Sequence, residues 1–378
     1  MPVSPAIQAA LDAAVRDGVF PGAVLAVRKG GSPIQVACAG HLSTHPPGEA
    51  VTASAIYDLA SLTKPLATVT AIALLVQEGR CHLEDSVEAL LPECAGVPIG
   101  GATVRHLLTH SSGLPGWRGY YERLSPAATI PATEEARGKA RQAVLPLVCG
   151  EALIYERGAR SLYSDIGFIL LGLIVERCSG MHLDRFFDVR IARLAGAGVL
   201  RFIPVEDLAA VRQGGGVAHG GIAPTEVDSW RGRLLCGEVH DENAAALGGV
   251  AGHAGLFGTA ESVLAVTGGW LRAYSGQPSW LDSAIVRAFT ARQQRIPGSS
   301  WALGWDTPSS PSSSGQYFSA SSFGHLGYTG TSLWIDPDKE LEVVLLSNRV
   351  HPTRKNDLIR AFRPTIHDVV WREYAGTR

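Results

Sequence analysis

The chain has 378 residues, of which 46% are hydrophobic and 18% charged, enough apolar surface for a large core. Its 33 basic and 35 acidic residues leave a net charge of −2 with no basic run. That balance argues against nucleic acid or an anionic membrane as partner and points to a small-molecule site. The six cysteines, Cys38, Cys81, Cys94, Cys149, Cys178 and Cys236, are widely spaced and form no CxxC, so free thiols in a reducing compartment are expected.

The chain starts MPVSPAIQAALDAAVRDGVFPGA, an amphipathic helix without the charged-then-apolar layout of a secretory signal. A cytoplasmic location is therefore expected, a periplasmic one requiring a signal removed beforehand. Ala23–Gly40 reads as a hairpin around Gly30-Gly31. TKPLATVTAIALLVQEGR follows as a helix with Pro65 tolerated in its first turn. Its apolar run around Ala71–Val76 is too short to span a bilayer. From there to about residue 295 the pattern is helical and loop-rich, with glycines dense at 213–221 and 248–258. Strand signals return at Trp301–Thr307, Ser322–Pro337 and Leu341–Asn348. TPSSPSSSGQ between them reads as a mobile loop, and Arg354–Tyr374 as a closing helix.

A two-stranded hairpin is marginal alone, so the N-terminal hairpin must join the C-terminal strands in one antiparallel sheet. The expected fold is α+β: an antiparallel sheet flanked by helices, with a mainly helical region inserted. A single catalytic unit over 1–378 would divide into a sheet part, 1–60 with 296–378, and a helical part, 61–295.

Three places could carry chemistry. Ser61 and Lys64 stand one helical turn apart on a common face, and a serine hydroxyl needs such a neighbouring base to become a nucleophile. Lys64 is the only one of five lysines with a serine three residues before it, and it heads an almost uncharged helix. Burial there would ease loss of its charge. The N–H of Ser61, at the helix start, suits an oxyanion. Tyr163-Ser164-Asp165 opens a second apolar helix, with Ser164 or Asp165 as its N-cap; the tyrosine could still share protons with Ser61 and Lys64. Third is Gly324-His325-Leu326-Gly327, where Gly327 would let a ligand approach the strand edge and the N–H of Tyr328 would complete an oxyanion hole.

Taken in order, YDLASLTK, LLTHSSGLPGW, LYSDIGFILLGLIVE, GVAGHAGLFGTAES and FGHLGYTGTSLWIDP resemble the landmarks of the serine β-lactamase and penicillin-binding-protein superfamily. The likeness is to its class C β-lactamase, D-alanyl-D-alanine carboxypeptidase and family VIII esterase branch. The resemblance implies Ser61 as nucleophile, Lys64 and Tyr163 as its proton partners, and His325-Leu326-Gly327 as the third motif, with Tyr328 supplying the second oxyanion N–H. It implies no cofactor. Two departures stand out. Asp165 replaces an asparagine whose amide could donate to a substrate carbonyl, and its charge would favour a protonated Lys64. Leu326 replaces a hydroxyl residue that helps hold a substrate carboxylate. Both weigh against efficient β-lactam or D-Ala-D-Ala hydrolysis and favour a carboxylesterase. A non-catalytic binding protein that keeps the fold is the other alternative.

His240, Asp241, Glu242 and His253 could in principle hold a metal, but their spacing matches no ligand pattern. Loop-structuring hydrogen bonds or a pocket wall are expected of them instead. GxSxG, HExxH, a P-loop and a strand-borne GxGxxG are all missing from the sequence.

Overall fold

Two apolar runs near the chain's start, Gly22–Lys29 (β1) and Gln35–Gly40 (β2), pair antiparallel. A computed structural model, which describes residues 3–44, 48–126, 128–208, 210 and 221–376, sets β1 against the last strand of the chain. The sheet runs β2-β1-β10-β9-β8, with β8 at Phe323–Leu326, β9 at Ser332–Asp336 and β10 at Leu341–Ser347. Every neighbour is antiparallel, and β1 meets β10 from Ala23 opposite Ser347 to Lys29 opposite Leu341. The chain ends are thus joined in one sheet, as the marginal hairpin required.

Both faces of β1 and β10 are covered, with the two-residue period of a strand. Val24, Ala26, Val344 and Leu346 face the core under the helical region, while Ala23, Leu25, Val27, Val343 and Leu345 face a second core. That second core is closed by α1 (Pro5–Arg16), which buries Ile7, Leu11 and Ala14 at helical spacing, and by the terminal helix Ile359–Tyr374. On the opposite face Ala260–Tyr274 packs on β1 and β10.

The helix of the Ser61 motif, Ala60–Gln77 (α2), is 18 residues long and apolar enough to cross a membrane by composition alone; it matches the length read from sequence but starts three residues earlier. Its window is 83% buried inside the protein, so its apolarity is that of a central core helix. It starts as a 3₁₀ turn at Ala60–Leu62, widens to π geometry over Lys64–Val69 and becomes α-helical from Thr70. Asp165–Ser179 (α3) lies against it. The glycine-dense stretch at 248–258 threads between the two. A Cβ on Gly252 would stand 2.1 Å from the Phe168 carbonyl and 2.9 Å from Gly172 Cα, so only glycine fits. Thr68 ties this strip down by donating to the Gly252 carbonyl at 2.6 Å. The other glycine cluster lies, up to residue 220, outside the described residues.

Several expectations need correction. The segment between 61 and 295 also holds Leu200–Phe202 (β4), Val227–Asp228 (β5), Arg233–Leu234 (β6) and Leu256–Gly258 (β7). β4 and β7 form a small sheet with Tyr57–Asp58 (β3), and β5 pairs with β6. Elements of two or three residues are too short to show alternation. Trp301–Thr307 is a tight turn rather than a strand, because Gly304 sits at φ +76° and Ala302 N–H closes on the Trp305 carbonyl at 2.8 Å. The Ser/Pro-rich loop is pinned to the terminal helix: His367 Nδ1–H donates to the Ser313 carbonyl at 2.7 Å, and Asp368 accepts from Gln316 N–H at 2.6 Å. That helix begins at Ile359, not Arg354, whose side chain is drawn to Glu226 and Glu242. Finally, Cys94 and Cys149 are joined in a disulfide across 55 residues, a pairing that wide spacing hid; Cys38, Cys81 and Cys178 remain thiols.

Candidate active site

The turn that carries Ser61 is held from below by Asp58, a buried carboxylate in the otherwise apolar run before it. Its Oδ1 accepts from Ala60 N–H at 2.8 Å and its Oδ2 from His240 N–H at 2.7 Å. Ala60 is in the left-handed region, φ +47°, a conformation that costs a non-glycine residue energy and persists where surroundings enforce it. The result presents Ser61, half-buried, in the first turn of α2, where backbone N–H groups lack partners one turn back.

Lys64 is fully buried. Its Nζ lies 2.6 Å from Asp165 Oδ1 and donates to Ser61 Oγ at 2.9 Å and to the His253 carbonyl at 3.1 Å. An ammonium has three N–H groups, and three acceptors surround this one. Burial disfavours the charge, but Asp165 and the Tyr163 hydroxyl outweigh it and raise the lysine pKa above its ordinary value. The resting side chain is therefore a charged ammonium. This corrects the expectation that burial would make it an easily neutralised amine, and agrees with the effect anticipated for Asp165.

Tyr163 Oη donates to Ser61 Oγ at 2.8 Å, so the serine oxygen sits between Lys64 and Tyr163. Burial, reinforced by Asp165, pushes the phenol up to about 12 against the pull of Lys64. Ser164 is the N-cap of α3: its Oγ accepts from Gly167 N–H at 3.2 Å and donates to the Pro115 carbonyl at 2.7 Å. His110 Nδ1 accepts Ser164 N–H at 3.1 Å. The ring of His110 packs 4.7 Å from Tyr163 and 4.3 Å from Trp301, fixing the tyrosine from behind. Burial holds His110 neutral, its pKa well below the usual value.

The third motif ends β8 beside the Ser61 turn. Thr329 Oγ1 donates to the Asp58 carbonyl at 2.8 Å and Thr331 Oγ1 to the Leu59 carbonyl at 3.1 Å. Buried Arg363 donates to the Gly327 and Thr331 carbonyls at 2.5 and 2.7 Å. The space beside Gly327 belongs to the protein: a Cβ there would meet Thr331 Oγ1 at 1.9 Å and the Leu59 carbonyl at 2.7 Å. The glycine thus lets β8 close on the Ser61 turn, which replaces the expectation that it admits a ligand. Tyr328 follows, half-exposed, with Arg349 4.4 Å from its ring.

His325 is buried, its ring 6.0 Å from Tyr163 and 5.7 Å from Trp301. Its Nδ1–H donates to the Leu326 carbonyl at 2.7 Å, which leaves Nε2 as a bare acceptor without a partner among the described residues. Burial and the charge of Lys64 push its pKa down to about 3, so the ring is neutral at ordinary pH.

The segment around His240–His253 borders this group. His253 Nε2–H donates to Asp241 Oδ1 at 2.8 Å while its carbonyl accepts from Lys64. Burial raises the Asp241 pKa, but the charge of His253 overcomes it and the net shift is downward. His240 donates to Glu226 at 2.9 Å and stacks on Tyr328 at 5.8 Å. Glu242 pairs with Arg354 at 2.7 Å. Among the described residues no group of three His, Cys, Asp or Glu side chains could hold a metal; the two histidines are spent on separate carboxylates.

Ser61, Lys64, Tyr163 and Asp165 therefore meet in one cluster, His325 flanks it, and Tyr328 follows Gly327, which packs on the Ser61 turn. Sequence reasoning missed Asp58, His110, Trp301 and Arg363. Of these, only Asp58 carried a signal, an isolated acid in the apolar run that precedes Ser61.

A family model described as Beta-lactamase matches residues 7–363. A protein of Escherichia coli (strain K12) named "Putative D-alanyl-D-alanine carboxypeptidase" is 31% identical over 316 residues, 79% of this chain and 70% of its own. An "N-acetylmuramyl-L-alanine amidase" of Bacillus subtilis (strain 168) is 33% identical over 359 residues, 88% of this chain and 78% of its own. Among solved structures, "EstCE1, a hydrolase with promiscuous acyltransferase activity" superposes with a TM-score of 0.73 at 20% identity, covering 97% of both chains. The fold matches, and the antiparallel sheet with its flanking helices is the one expected. With the family model spanning nearly the whole chain, this protein belongs to the Beta-lactamase family of the serine β-lactamase and penicillin-binding-protein superfamily, and is a hydrolase of that family.

Proposed function

We propose that the chain is a serine acyl hydrolase that passes through an acyl-enzyme on Ser61 and acts on neutral esters in preference to β-lactams or D-Ala-D-Ala peptides. The observation that carries this reading is Ser61 Oγ, held at 2.9 Å from Lys64 Nζ and 2.8 Å from Tyr163 Oη. In this reading Ser61 Oγ bonds the substrate carbonyl carbon as its proton leaves. The proton goes to a Lys64 that has first yielded one, to Asp165 or to solvent. Tyr163 then passes a proton to the departing alkoxide and takes one from Lys64 in return, while the N–H groups of Ser61 and Tyr328 hold the oxyanion; water, giving a proton to the now neutral Lys64, releases the acyl group as the acid, and Ser61 Oγ is reprotonated. The preference for uncharged substrates rests on Leu326, which offers no hydroxyl, on Asp165, which offers no amide, and on neutral His325, which has no positive charge for a carboxylate.

A fluorophosphonate probe tests the chemistry. It should label the protein once, with the adduct mapped to Ser61 by mass spectrometry and lost in Ser61→Ala. Labelling elsewhere, or none, would favour a binding protein that keeps the fold. Short-chain esters, D-amino-acid peptides and a chromogenic cephalosporin assayed side by side then rank the substrates. The names of the relatives make the peptide arm the one most able to overturn the ester preference.

A further inference from the structure

Two cysteines meet where the helices of the Ser61 cluster end. Cys81 follows α2, past a turn at Gly79 with φ +68°, and Cys178 sits in the last turn of α3, before Gly180 at φ +70°. Cys81 is buried, and Cys178 is half-buried against the same core. The Cys81 thiol donates to the Cys178 sulfur and lies 3.8 Å from the His82 carbonyl. The backbones beside them are clamped together as well: α2 packs along α3, and Arg80 donates to the Cys178 carbonyl at 2.5 Å.

The two thiols are unequal. Disulfide exchange needs a thiolate and an open approach to it. The hydrogen bond from Cys81 favours ionised Cys178, and the charges of Arg80 and Arg177 add to it. Together they draw the Cys178 pKa below its ordinary value against burial and Asp85. Cys81 is pushed the other way, first by donating that hydrogen bond and then by burial. An accessible, readily ionised thiol in contact with a protected one is the arrangement of an attacking and a resolving cysteine. Burial raises the Cys38 thiol, which makes it the less reactive comparison within the same chain.

We propose that Cys178 and Cys81 are a modification site for small disulfides of the glutathione type, which convert the pair into a second disulfide between the far ends of α2 and α3. The Cys178 thiolate bonds one sulfur of the oxidant, whose S–S bond breaks and releases one thiolate. Cys81 then bonds the Cys178 sulfur, breaking the mixed disulfide and releasing the other thiolate. Two electrons pass from the cysteine pair to the oxidant, and the two thiol protons end on the departing thiolates. The new bond closes a loop of roughly 100 residues. It ties together the two helices whose beginnings carry Ser61, Lys64 and Asp165. None of this depends on the hydrolase reading.

The test incubates the folded natural protein with oxidised glutathione, alkylates it under denaturing conditions, digests it without reduction and maps the peptides by mass spectrometry. A Cys81–Cys178 cross-linked peptide should appear, while Cys38 is recovered alkylated and the Cys94–Cys149 bond stays intact. Cys81→Ala should halt the reaction at one glutathione on Cys178. Cys178→Ser should leave Cys81 with neither glutathione nor a new bond. Circular dichroism checks that each variant is folded, and if one is not, the map of the natural protein decides by itself. Three results overturn the site: Cys178 recovered alkylated throughout, a glutathione adduct that persists on Cys178 of the natural protein, or a bond from Cys178 to Cys94. The last is the competing route, since Glu93, next to Cys94, pairs with Arg177, next to Cys178, at 2.5 Å.

Discussion

Arginine at position 64 would keep the positive charge facing Asp165 but could not give up its proton at any working pH. If Lys64 serves as a proton carrier, Lys64→Arg should lose most of the turnover while still folding around the same ion pair. Tyr163→Phe should cost about 10²- to 10⁴-fold in kcat, the usual scale for a lost proton-transfer group; near-normal turnover would move that role elsewhere. Asp165 sets the pH at which the exchange can run. The carboxylate holds the Lys64 pKa up, so a rate that needs the neutral amine rises with pH, with an apparent pKa belonging to the coupled group. Asp165→Asn removes the main stabiliser of the ammonium. The alkaline-rising limb of kcat/KM should then move to lower pH, and a shift upward or no shift would contradict the role given to Lys64.

At the scale of elements, the site exists because β8, α2, α3 and the glycine strip at 248–258 are bolted to one another. Their anchors are Thr329 and Thr331 on the Asp58–Leu59 carbonyls and Thr68 on Gly252. The edge of β8 also carries a specificity claim. Leu326→Thr with Asp165→Asn restores a hydroxyl and an amide, so the ester-to-cephalosporin ratio of kcat/KM should fall relative to the natural protein. An unmoved ratio, or a natural preference for the cephalosporin, would sink the interpretation of these two residues. Ser61, Lys64 and Tyr163 were legible in the sequence because each sits in a short motif at a helix start, where local spacing encodes proximity. The hairpin and late strands were legible because alternation is a local signal. The Asp58 bridge to His240, the Arg363 clasp on Gly327 and the packing of His110 behind Tyr163 were not, since each joins segments that only tertiary folding brings together. Gly327 shows the limit from the other side: a glycine beside a strand edge announces a close approach without saying whether ligand or protein makes it.

For the whole molecule, the Cys94–Cys149 disulfide closes a loop of 55 residues within the helical region. Loop-closure entropy gives such a link up to about 4 kcal/mol of stability. Cys94→Ser with Cys149→Ser, or reduction of the natural protein, should lower the thermal midpoint by several degrees and leave probe labelling of Ser61 intact below it. An unchanged midpoint would mean that the link adds nothing to stability.

The pairing of Ala23 with Ser347 has a consequence for how the molecule acquires its chemistry. Ser61 and Lys64 are neighbours in sequence, but the strand end beside them comes from residues 323–331 and the rest of the pocket from 163–165 and 240–253. The β1–β10 ladder joins segments more than 300 residues apart, so the contacts that finish the pocket lie among the most non-local in the chain, the kind that form slowly. During folding, the helix bearing Ser61 can assemble well before the strand end at 323–331 arrives beside it. A newly made chain would therefore carry an unarmed serine until its two ends have met, and reactivity toward an acyl donor would report completion of the central sheet.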